Sequence, residues 1–540
     1  MIFEREAKIG FGSYGDVYQA SMTKKTDDKE EKIKVAIKRN WGDEDELGIS
    51  CLREMSFLTI SKHPFVTELM TVSIGDPFPA SCPMTPTRNI DHPREGMKED
   101  KNHFIMEYAD CDLKKFSENC DNFYMLKIVM CQILLALEYI HSKGIVHRDI
   151  TPANILVKIN EEDGLPYVKI CDFGLSCHPS HYRATTPGAV TSWYRAPEIC
   201  CAYNYYGPKV DVWSAGCVFF QIIKKDSLFT PEDDPRVIFK EIVKKVPQKF
   251  TVTELNSYIN EGECDRFRHN YKNVKKESFL DKMIGVNKKQ FNKSDGNIKE
   301  FCDLLHGMLN IYPSERLSAS QALDHPFFNM FDDFKSDVKK YYPPQEVDED
   351  RKIKIYNCLE RSWAVNLAFK IYNNRHDYHK WYSDHIVFHA IRLFDQYLEH
   401  AFANPKIKKR DRVTKNNGKL HTQFEVSIYF YTCVYMLYKY FCTLPVEMVT
   451  WDNIFPVQLA ITKNTRAIEK FEENLLHNVL ECRMYDPTVL EYLDRDYTTR
   501  SNLEKNLDVH RYLINYGKIG MDYEGTMRDL YLQIKEGLAV

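Results

Sequence analysis

Apolar positions in the first seventy residues fall into short β-branched or aromatic runs, Val17–Ala20 and Ile33–Lys38, followed by an amphipathic stretch near 45–61. The runs predict strands and the stretch predicts one helix. Between the strands, MTKKTDDKEEKIK is dense in charge and reads as a solvated hairpin loop. Residues 75–102 carry Pro77, Pro79, Pro83, Pro86 and Pro93 with few periodic apolar positions, so an exposed loop of unusual length is expected. From 123 to 330 the periodicity is mostly helical, broken by a Gly/Thr/Pro-containing loop around 174–198. The acidic, polar stretch 331–350, with Pro343 and Pro344, reads as a linker. Beyond 350 the pattern is helical throughout. Val387, Ile391, Phe394, Leu398 and Phe402 recur at three- and four-residue steps, as do Val426, Phe430, Val434, Leu437 and Phe441, and then Ile468, Phe471, Leu475 and Val479. An all-helical domain with a continuous core follows.

A chain of 540 residues holds about three folding units. With 44% hydrophobic and 28% charged residues, a disordered or low-complexity chain is excluded. Net charge is −4, which argues against a surface built to coat nucleic acid. MIFEREAKIGFG lacks the basic start and apolar core of a secretion signal. Sixteen cysteines without a CxxC pair then read as reduced thiols of an intracellular protein. The apolar run Phe424–Leu444 contains Glu425, Ser427, Lys439 and five tyrosines, so a buried helix is expected there rather than a membrane span.

Gly10-Phe11-Gly12-Ser13-Tyr14-Gly15 is a GxGxxG sequence, weak alone because dinucleotide folds share it. Here Asp16–Ala20 continues as a strand, so the glycines belong to a hairpin whose bare backbone can approach phosphate oxygens. Order adds meaning. Lys38 lies on the next strand in Val35-Ala36-Ile37-Lys38, and Glu54 in the following helix. His147-Arg148-Asp149 precedes Asn154 by five residues counted from the aspartate, then come Asp172-Phe173-Gly174 and Ala196-Pro197-Glu198. This ordered set is identified as that of a protein kinase. A transferring phosphoryl group spreads negative charge over its oxygens, so the chemistry needs positioning and charge neutralisation. Lys38 suits the α and β phosphates of ATP, with Glu54 fixing its stem. Asn154 and Asp172 offer hard oxygens to Mg2+. Asp149 suits the proton of a substrate hydroxyl.

GFGSYGDVY, VAIKR, ELGISCLREMSFL, MEYADCDLKKF, VTSWYRAPE, DVWSAGC and YPSERLSASQALDHPFF resemble a cyclin-dependent kinase at each station. The resemblance implies a two-lobed α+β domain over 1–330, with lobes about 1–108 and 109–330, phosphorylating serine or threonine before proline. Arg195 is similar to the arginine behind that proline preference. Gly48–Glu54 stands where the family has its cyclin-binding helix. By resemblance Ser13 and Tyr14 are an inhibitory phosphorylation pair and Thr186 is the activating site, met by Arg53 and Arg148. Ile9, Gly10, Gly12, Gly15, Val17, Ala36 and Leu156 surround the nucleotide, Glu107 and Ala109 form the hinge, and Asp112 lies near the ribose. Three departures stand out. Thr151 replaces the lysine that normally reaches phosphate and substrate, supplying a hydrogen bond but no charge. Cys177 stands where a third phosphate-binding arginine belongs, with Arg183 nearby. The 75–102 insertion has no counterpart.

AIRLFDQYLE, CVYMLYKYFCTLP and ENLLHNVLECRMYDPTVLEYL resemble successive helices of a cyclin box, implying an all-α cyclin-like domain over 351–495 and a helical tail over 496–540. Lys439 and Glu473 match the pair with which that family grips its kinase. The implied partner is the kinase's own cyclin-like domain, in cis or in trans. The implied protein is a cell-cycle kinase and itself a phosphoprotein. Fusions of this kind resemble products of large DNA viruses. Lys406, Lys408, Lys409, Arg410, Arg412, Lys415 and Lys419 read first as a solvated loop, next as a nuclear-import signal and last, without interleaved aromatics, as a nucleic-acid patch, placing the protein in cytoplasm or nucleus. A different reading of the whole is a nucleotide-binding pseudokinase fused to a helical scaffold.

Overall fold

The computed structural model describes residues 2–12, 15–26, 29–42, 49–74, 77, 98–177, 192–200, 207–229, 234–246 and 297–340. Further on it describes 352–355, 359–373, 384–403, 423–441, 468, 471, 475 and 523–526. The chain divides into two compact units, Met1–Pro343 and Pro344–Val540.

The first unit opens with strands β1 (Ile2–Gly12), β2 (Gly15–Thr26) and β3 (Lys29–Gly42). Helix α1 (Ile49–Ile60) follows, then β4 (Leu69–Ile74) and β5 (Lys98–Glu107). The strands form one antiparallel sheet in the order β1-β2-β3-β5-β4. Alternation divides its faces. Tyr18, Ala20, Met22, Val35, Ile37 and Ile105 pack with Phe3 into one buried cluster. The register sets Val17 opposite Lys38 and Ala36 opposite Met106, so these four share the other face.

Two sequence expectations are corrected here. β2 and β3 stay paired through Thr26 and Lys29, so the charged stretch is a long hairpin ladder and not a loop. The backbone register sets Lys24 opposite Glu31 and Lys25 opposite Glu30 along this ladder. Residues 98–102 of the insertion belong to β5, with Asn102 opposite Ile74. Apart from Pro77, the rest of 75–97 lies outside the described residues.

The larger half of this unit is helical. β6 (Cys111–Asp112) leads into α2 (Leu113–Glu118) and α3 (Phe123–Ser142), and β7 (Ile155–Ile159) pairs with both β6 and β8 (Pro166–Ile170). Then come α4 (Pro197–Cys200), α5 (Lys209–Lys224), α6 (Pro235–Lys245), α7 (Asn297–Met308), α8 (Ala319–Leu323) and α9 (Asp332–Lys339). Caps place these helices where the sequence offers them. Asn122 accepts the N–H groups of Tyr124 and Met125 at the start of α3, and Ser318 with Gln321 forms a capping box on α8. Among the described residues α3 is the one helix long and apolar enough to cross a membrane, and it is mostly buried inside this half.

α9 corrects the linker, which does not begin at 331. Val338 is buried, Phe334 lies 6.0 Å from the ring of Phe65, and Lys339 pairs with Glu138 at 2.9 Å. The polar residues there are the outer face of an amphipathic helix.

The second unit contains β9 (Lys352–Ile355), α10 (Leu359–Asn373), α11 (Asp384–Ala403), α12 (Gln423–Phe441) and β10 (Tyr523–Thr526). The three helices pack on one another. Much of the predicted stripes is inside: Ile391, Phe394 and Leu398, then Val426, Phe430, Val434 and Leu437, and also Ile468, Phe471 and Leu475 are buried, whereas Phe402 is half-buried; Val479 and the side chains of Val387 and Phe441 lie outside what is described. Arg361 on α10 meets Asp395 on α11 at 2.8 Å, both out of solvent. β9 pairs antiparallel with β10, Ile355 opposite Tyr523. The unit is therefore not purely helical, and the expected helical tail contributes a strand.

Candidate active site

α1 is the first positioning element. Nine of its twelve residues, Ile49, Cys51 through Leu58, are buried, including Arg53 and Glu54. That burial holds Glu54 against Lys38 on β3, with Nζ to Oε2 at 2.6 Å. Nζ also lies 3.5 Å from Asp172 Oδ1. Burial works against the Lys38 charge, but Asp172 and Glu54 outweigh it and hold the ammonium well above the usual lysine range. Burial pushes the Glu54 carboxyl up to about 7, with Lys38 pulling against it. The start of α1 rests directly on the turn Phe173–Leu175. A Cβ added at Gly174 would stand 3.2 Å from Ser50 Cβ, so glycine permits this approach.

The second element is the loop between α3 and β7. Asn154 Nδ2 donates to Asp149 twice, to its carbonyl at 2.9 Å and to Oδ2 at 2.7 Å. Cys171 N–H, next to Asp172, donates to the Asn154 carbonyl at 3.0 Å. Thus Asn154 ties the candidate base to the strand end that carries Asp172. His147 braces the same loop. Its Nδ1 accepts the Asp149 N–H at 3.2 Å, and its ring meets Phe173 edge-on at 4.8 Å.

Asp211, at the start of α5, was not singled out in the sequence. Its Oδ2 accepts the His147 N–H and Oδ1 the Arg148 N–H, each at 2.8 Å, while His141 Nε2 lies 2.9 Å from Oδ2. Burial opposes the charge, yet His141 and these backbone bonds hold the carboxyl below its ordinary value. Arg148 stands at φ 68°, a left-handed conformation costly for a long side chain, and Asp211 fixes both amides around it. Arg316 was likewise missed as a site-supporting residue. Its two terminal nitrogens clasp Glu198 at 2.7 and 2.9 Å out of solvent, and one also donates to the Lys209 carbonyl at the start of α5. The signal for Asp211 was a charge at the head of an otherwise largely apolar run, DVWSAGC, whereas the polar stretch YPSERLSAS carried none for Arg316.

The remaining sequence-predicted residues divide clearly. Gly12 faces Gly15 across the end of the first hairpin, and Gly10 faces Val17. Ile9 is exposed on β1. Met106, opposite Ala36, is a further residue of this sheet face. Glu107 binds Lys169 at 2.8 Å and accepts the Glu68 N–H at 2.8 Å, which ties the β5 end to β8 and to the loop after α1. Ala109 lies between β5 and β6, half-buried, and Leu156 stands opposite Asp112. Asp112 spends one carboxylate oxygen capping α2 through the Lys115 N–H at 2.8 Å.

Arg148 Nε donates to the Leu175 carbonyl at 2.5 Å, and the charges of Arg148 and Arg53 both act on the buried Cys177 thiol. The position expected to hold a third arginine is therefore beside the other two. Thr151 departs from its expected use. It is buried and its Oγ1 accepts the Asn154 N–H at 3.3 Å, so that oxygen caps the turn Pro152–Asn154. Ser13, Tyr14, Thr186, Arg183 and Glu473 lie outside the described residues; Lys439 lies on α12, and its side chain is not described.

Chemically, the arrangement offers a buried cation, a carboxylate base oriented by an amide, and two oxygen donors for a divalent ion. No cluster of three His, Cys, Asp or Glu side chains able to hold a metal occurs among the described residues. Asn154 and Asp172 fit Mg2+, which takes one or two protein oxygens and completes its shell with phosphate and water.

The protein kinase domain profile matches residues 3–328. The chain is 27% identical to the cell division control protein 2 homolog 1 of Trypanosoma brucei brucei, over 61% of this chain and 98% of that protein. It is 28% identical to cyclin-dependent kinase B1-1 of Arabidopsis thaliana, over 61% of this chain and 98% of that protein. To the serine/threonine-protein kinase ppk23 of Schizosaccharomyces pombe it is 29% identical, over 60% of this chain and 72% of that protein. With the Lys38, Glu54, Asp149, Asn154 and Asp172 set assembled, the chain belongs to the protein kinase family and is a serine/threonine kinase with ATP-binding machinery, similar to cyclin-dependent and mitogen-activated kinases.

Proposed function

We propose that the chain is a proline-directed, ATP- and Mg2+-dependent kinase activated by its own second unit. The observation that carries the phosphoryl-transfer part of this reading is the closed Lys38–Glu54 pair on a helix packed against the Phe173–Leu175 turn. Lys38 neutralises the α and β phosphates of ATP, and Glu54 holds its stem. Asp149, oriented by Asn154, accepts the proton of the substrate serine or threonine hydroxyl. Asn154 and Asp172 would hold Mg2+, which would supply neutralisation of the charge developing on the phosphates.

The second unit supports a cyclin-like reading through its three packed helices. α11 carries AIRLFDQYLE, α12 carries the lysine-bearing CVYMLYKYF, and a buried Arg361–Asp395 pair joins α10 to α11. By resemblance, Lys439 and Glu473 are the pair with which such a domain grips a kinase. Tethering raises the effective concentration to the millimolar range, so a weak interface suffices. Thr186 is the activating phosphosite, modified by the kinase itself because Pro187 follows. Ser13 and Tyr14 serve as the inhibitory pair. The protein works in cytoplasm or nucleus, and the basic residues 406–412, first a solvated loop, are the stretch to test as an import signal.

The test is phosphate transfer from ATP to matched peptides differing only in Ser-Pro against Ser-Ala, with Asp149→Asn as control. Faster transfer to Ser-Pro, abolished in the variant, supports the proposal. Equal rates on both peptides refute proline direction, and equal rates in both proteins refute the role of Asp149.

A further inference from the structure

We propose that Thr151 is a positioning residue of the phosphoryl-transfer site, acting through Asn154 and not on the phosphate. The proposal rests on the kinase reading above, and four observations carry it. Thr151 is buried, with 6% of its surface exposed, so its hydroxyl is removed from bulk solvent. It has extended backbone angles, φ −137° and ψ 160°, typical of an N-cap, and its side chain occupies that role on the turn Pro152–Asn154. The Asn154 N–H is shared between the Thr151 carbonyl at 3.1 Å and Thr151 Oγ1 at 3.3 Å, a three-centre bond that fixes the amide from two sides. The residue so fixed carries the site's junction, since Asn154 holds Asp149 by two bonds and its carbonyl receives Cys171 N–H beside Asp172.

The physical logic follows from reach. The Thr151 oxygen is two bonds from the backbone and is already engaged by the amide three residues on. A lysine at the same place would carry its charge several ångströms outward and leave the turn uncapped. This chain thus exchanges a mobile cation for a stiffer loop. β-Branching adds to the effect, because Thr has fewer χ1 choices than lysine. Pro152 at the first position of the turn restricts the same loop, since its φ is preset. Stiffness here acts on two functions together: the orientation of the Asp149 carboxylate and the placement of the Asn154 oxygen that suits magnesium.

The experiment uses the full chain with Thr151→Val, Thr151→Ser and Thr151→Lys, assayed for kcat, for KM of ATP and for the magnesium concentration giving half-maximal rate. Unfolding midpoints are recorded for each. Valine keeps the shape and removes the cap, so kcat falls about tenfold, the equivalent of one hydrogen bond. The half-saturating magnesium concentration rises several-fold in the same variant, because the Asn154 oxygen is less well held. Serine, which keeps the oxygen, recovers most of both losses. Lysine behaves like valine in magnesium dependence. Two results overturn the proposal. If Thr151→Val shifts kcat while magnesium dependence stays at the wild-type value, the hydroxyl acts on the transferring phosphate directly. If all four proteins share one kcat and one magnesium dependence, the cap carries nothing. Failure of the kinase reading itself is distinguishable, because wild-type protein would then show no Asp149-dependent transfer at all.

Discussion

Replacing Asp211 by asparagine tests how the catalytic loop is held. The carboxylate accepts the His147 and Arg148 N–H groups on separate oxygens at 2.8 Å, and His141 approaches at 2.9 Å. Asparagine keeps one acceptor oxygen and turns the other into a donor facing a backbone N–H. One buried amide is then left without an acceptor, costing about 1–3 kcal/mol, and the bond that remains loses its charge assistance. Arg148 is held at φ 68° in both proteins, so the cost of that conformation cancels between them. The working loop is therefore destabilised by about 2 kcal/mol, a factor of about thirty against the relaxed loop, and kcat follows in full where the two are of similar energy in wild type and the relaxed loop is inactive. Asp149 follows Arg148 directly, so the base moves with it. The assay is steady-state peptide phosphorylation by the full chain, paired with urea unfolding followed by tryptophan fluorescence. His141→Ala is the control: it removes the side-chain partner, leaves both backbone amides satisfied and costs about 1 kcal/mol. If Asp211→Asn keeps kcat within about twofold of wild type, the loop does not depend on this carboxylate and the reasoning is wrong.

Acid sensitivity is expected from His63, whose buried ring stacks on Tyr139 at 4.7 Å and is pushed down to about 3 by burial. Because the folded value is below the unfolded one, its contribution is present above about pH 6.5 and is lost as pH falls toward 3. Between pH 7 and 5 wild type therefore loses about 2 kcal/mol relative to His63→Asn, which keeps an acceptor for the Phe65 N–H. Urea unfolding of both proteins at the two pH values measures the difference, and parallel losses would contradict it. Removing Arg316 by alanine leaves Glu198 buried without its partner and costs about 3–5 kcal/mol, whereas the double change Arg316→Ala, Glu198→Ala costs less than the two singles summed; a double-mutant cycle by thermal unfolding reads this. Gly307→Ala drives a Cβ to 2.5 Å from Leu317 Cδ1, so the side chain must shift and unfolding free energy drops by about 1–3 kcal/mol; an unchanged denaturation midpoint would show that Leu317 relocates freely.

Much of the site was legible in sequence because its chemistry is local. Lys38, Asp149, Asn154 and Asp172 sit in short motifs whose spacing survives without knowledge of the fold, and Glu54 is found by counting along one helix. Asp211 and Arg316 were not found, because their roles are created by approach of segments 63 and 118 residues apart. Thr151 was seen as a missing charge, but its use as a cap depends on the backbone angles of one turn. In the fold, helical periodicity located α11 and α12 to within a few residues. It misjudged α9, whose polar face resembles a linker, and the β9–β10 pair, whose short strands join positions about 170 residues apart with too few residues for a period to show. The β2–β3 hairpin misled for a related reason: a charge-dense stretch looks in one dimension like a solvated loop, whereas its backbone ladder runs on to Thr26 and Lys29.

The most direct measurement compares peptide phosphorylation by the purified full chain with that by residues 1–343, which retain the complete first unit and α9. No other protein is added, and unfolding curves confirm that both fold. Activation by the second unit in cis predicts at least about a tenfold higher rate for the full chain, the size of a coupling of about 1.4 kcal/mol. Equal rates from the two proteins would contradict it.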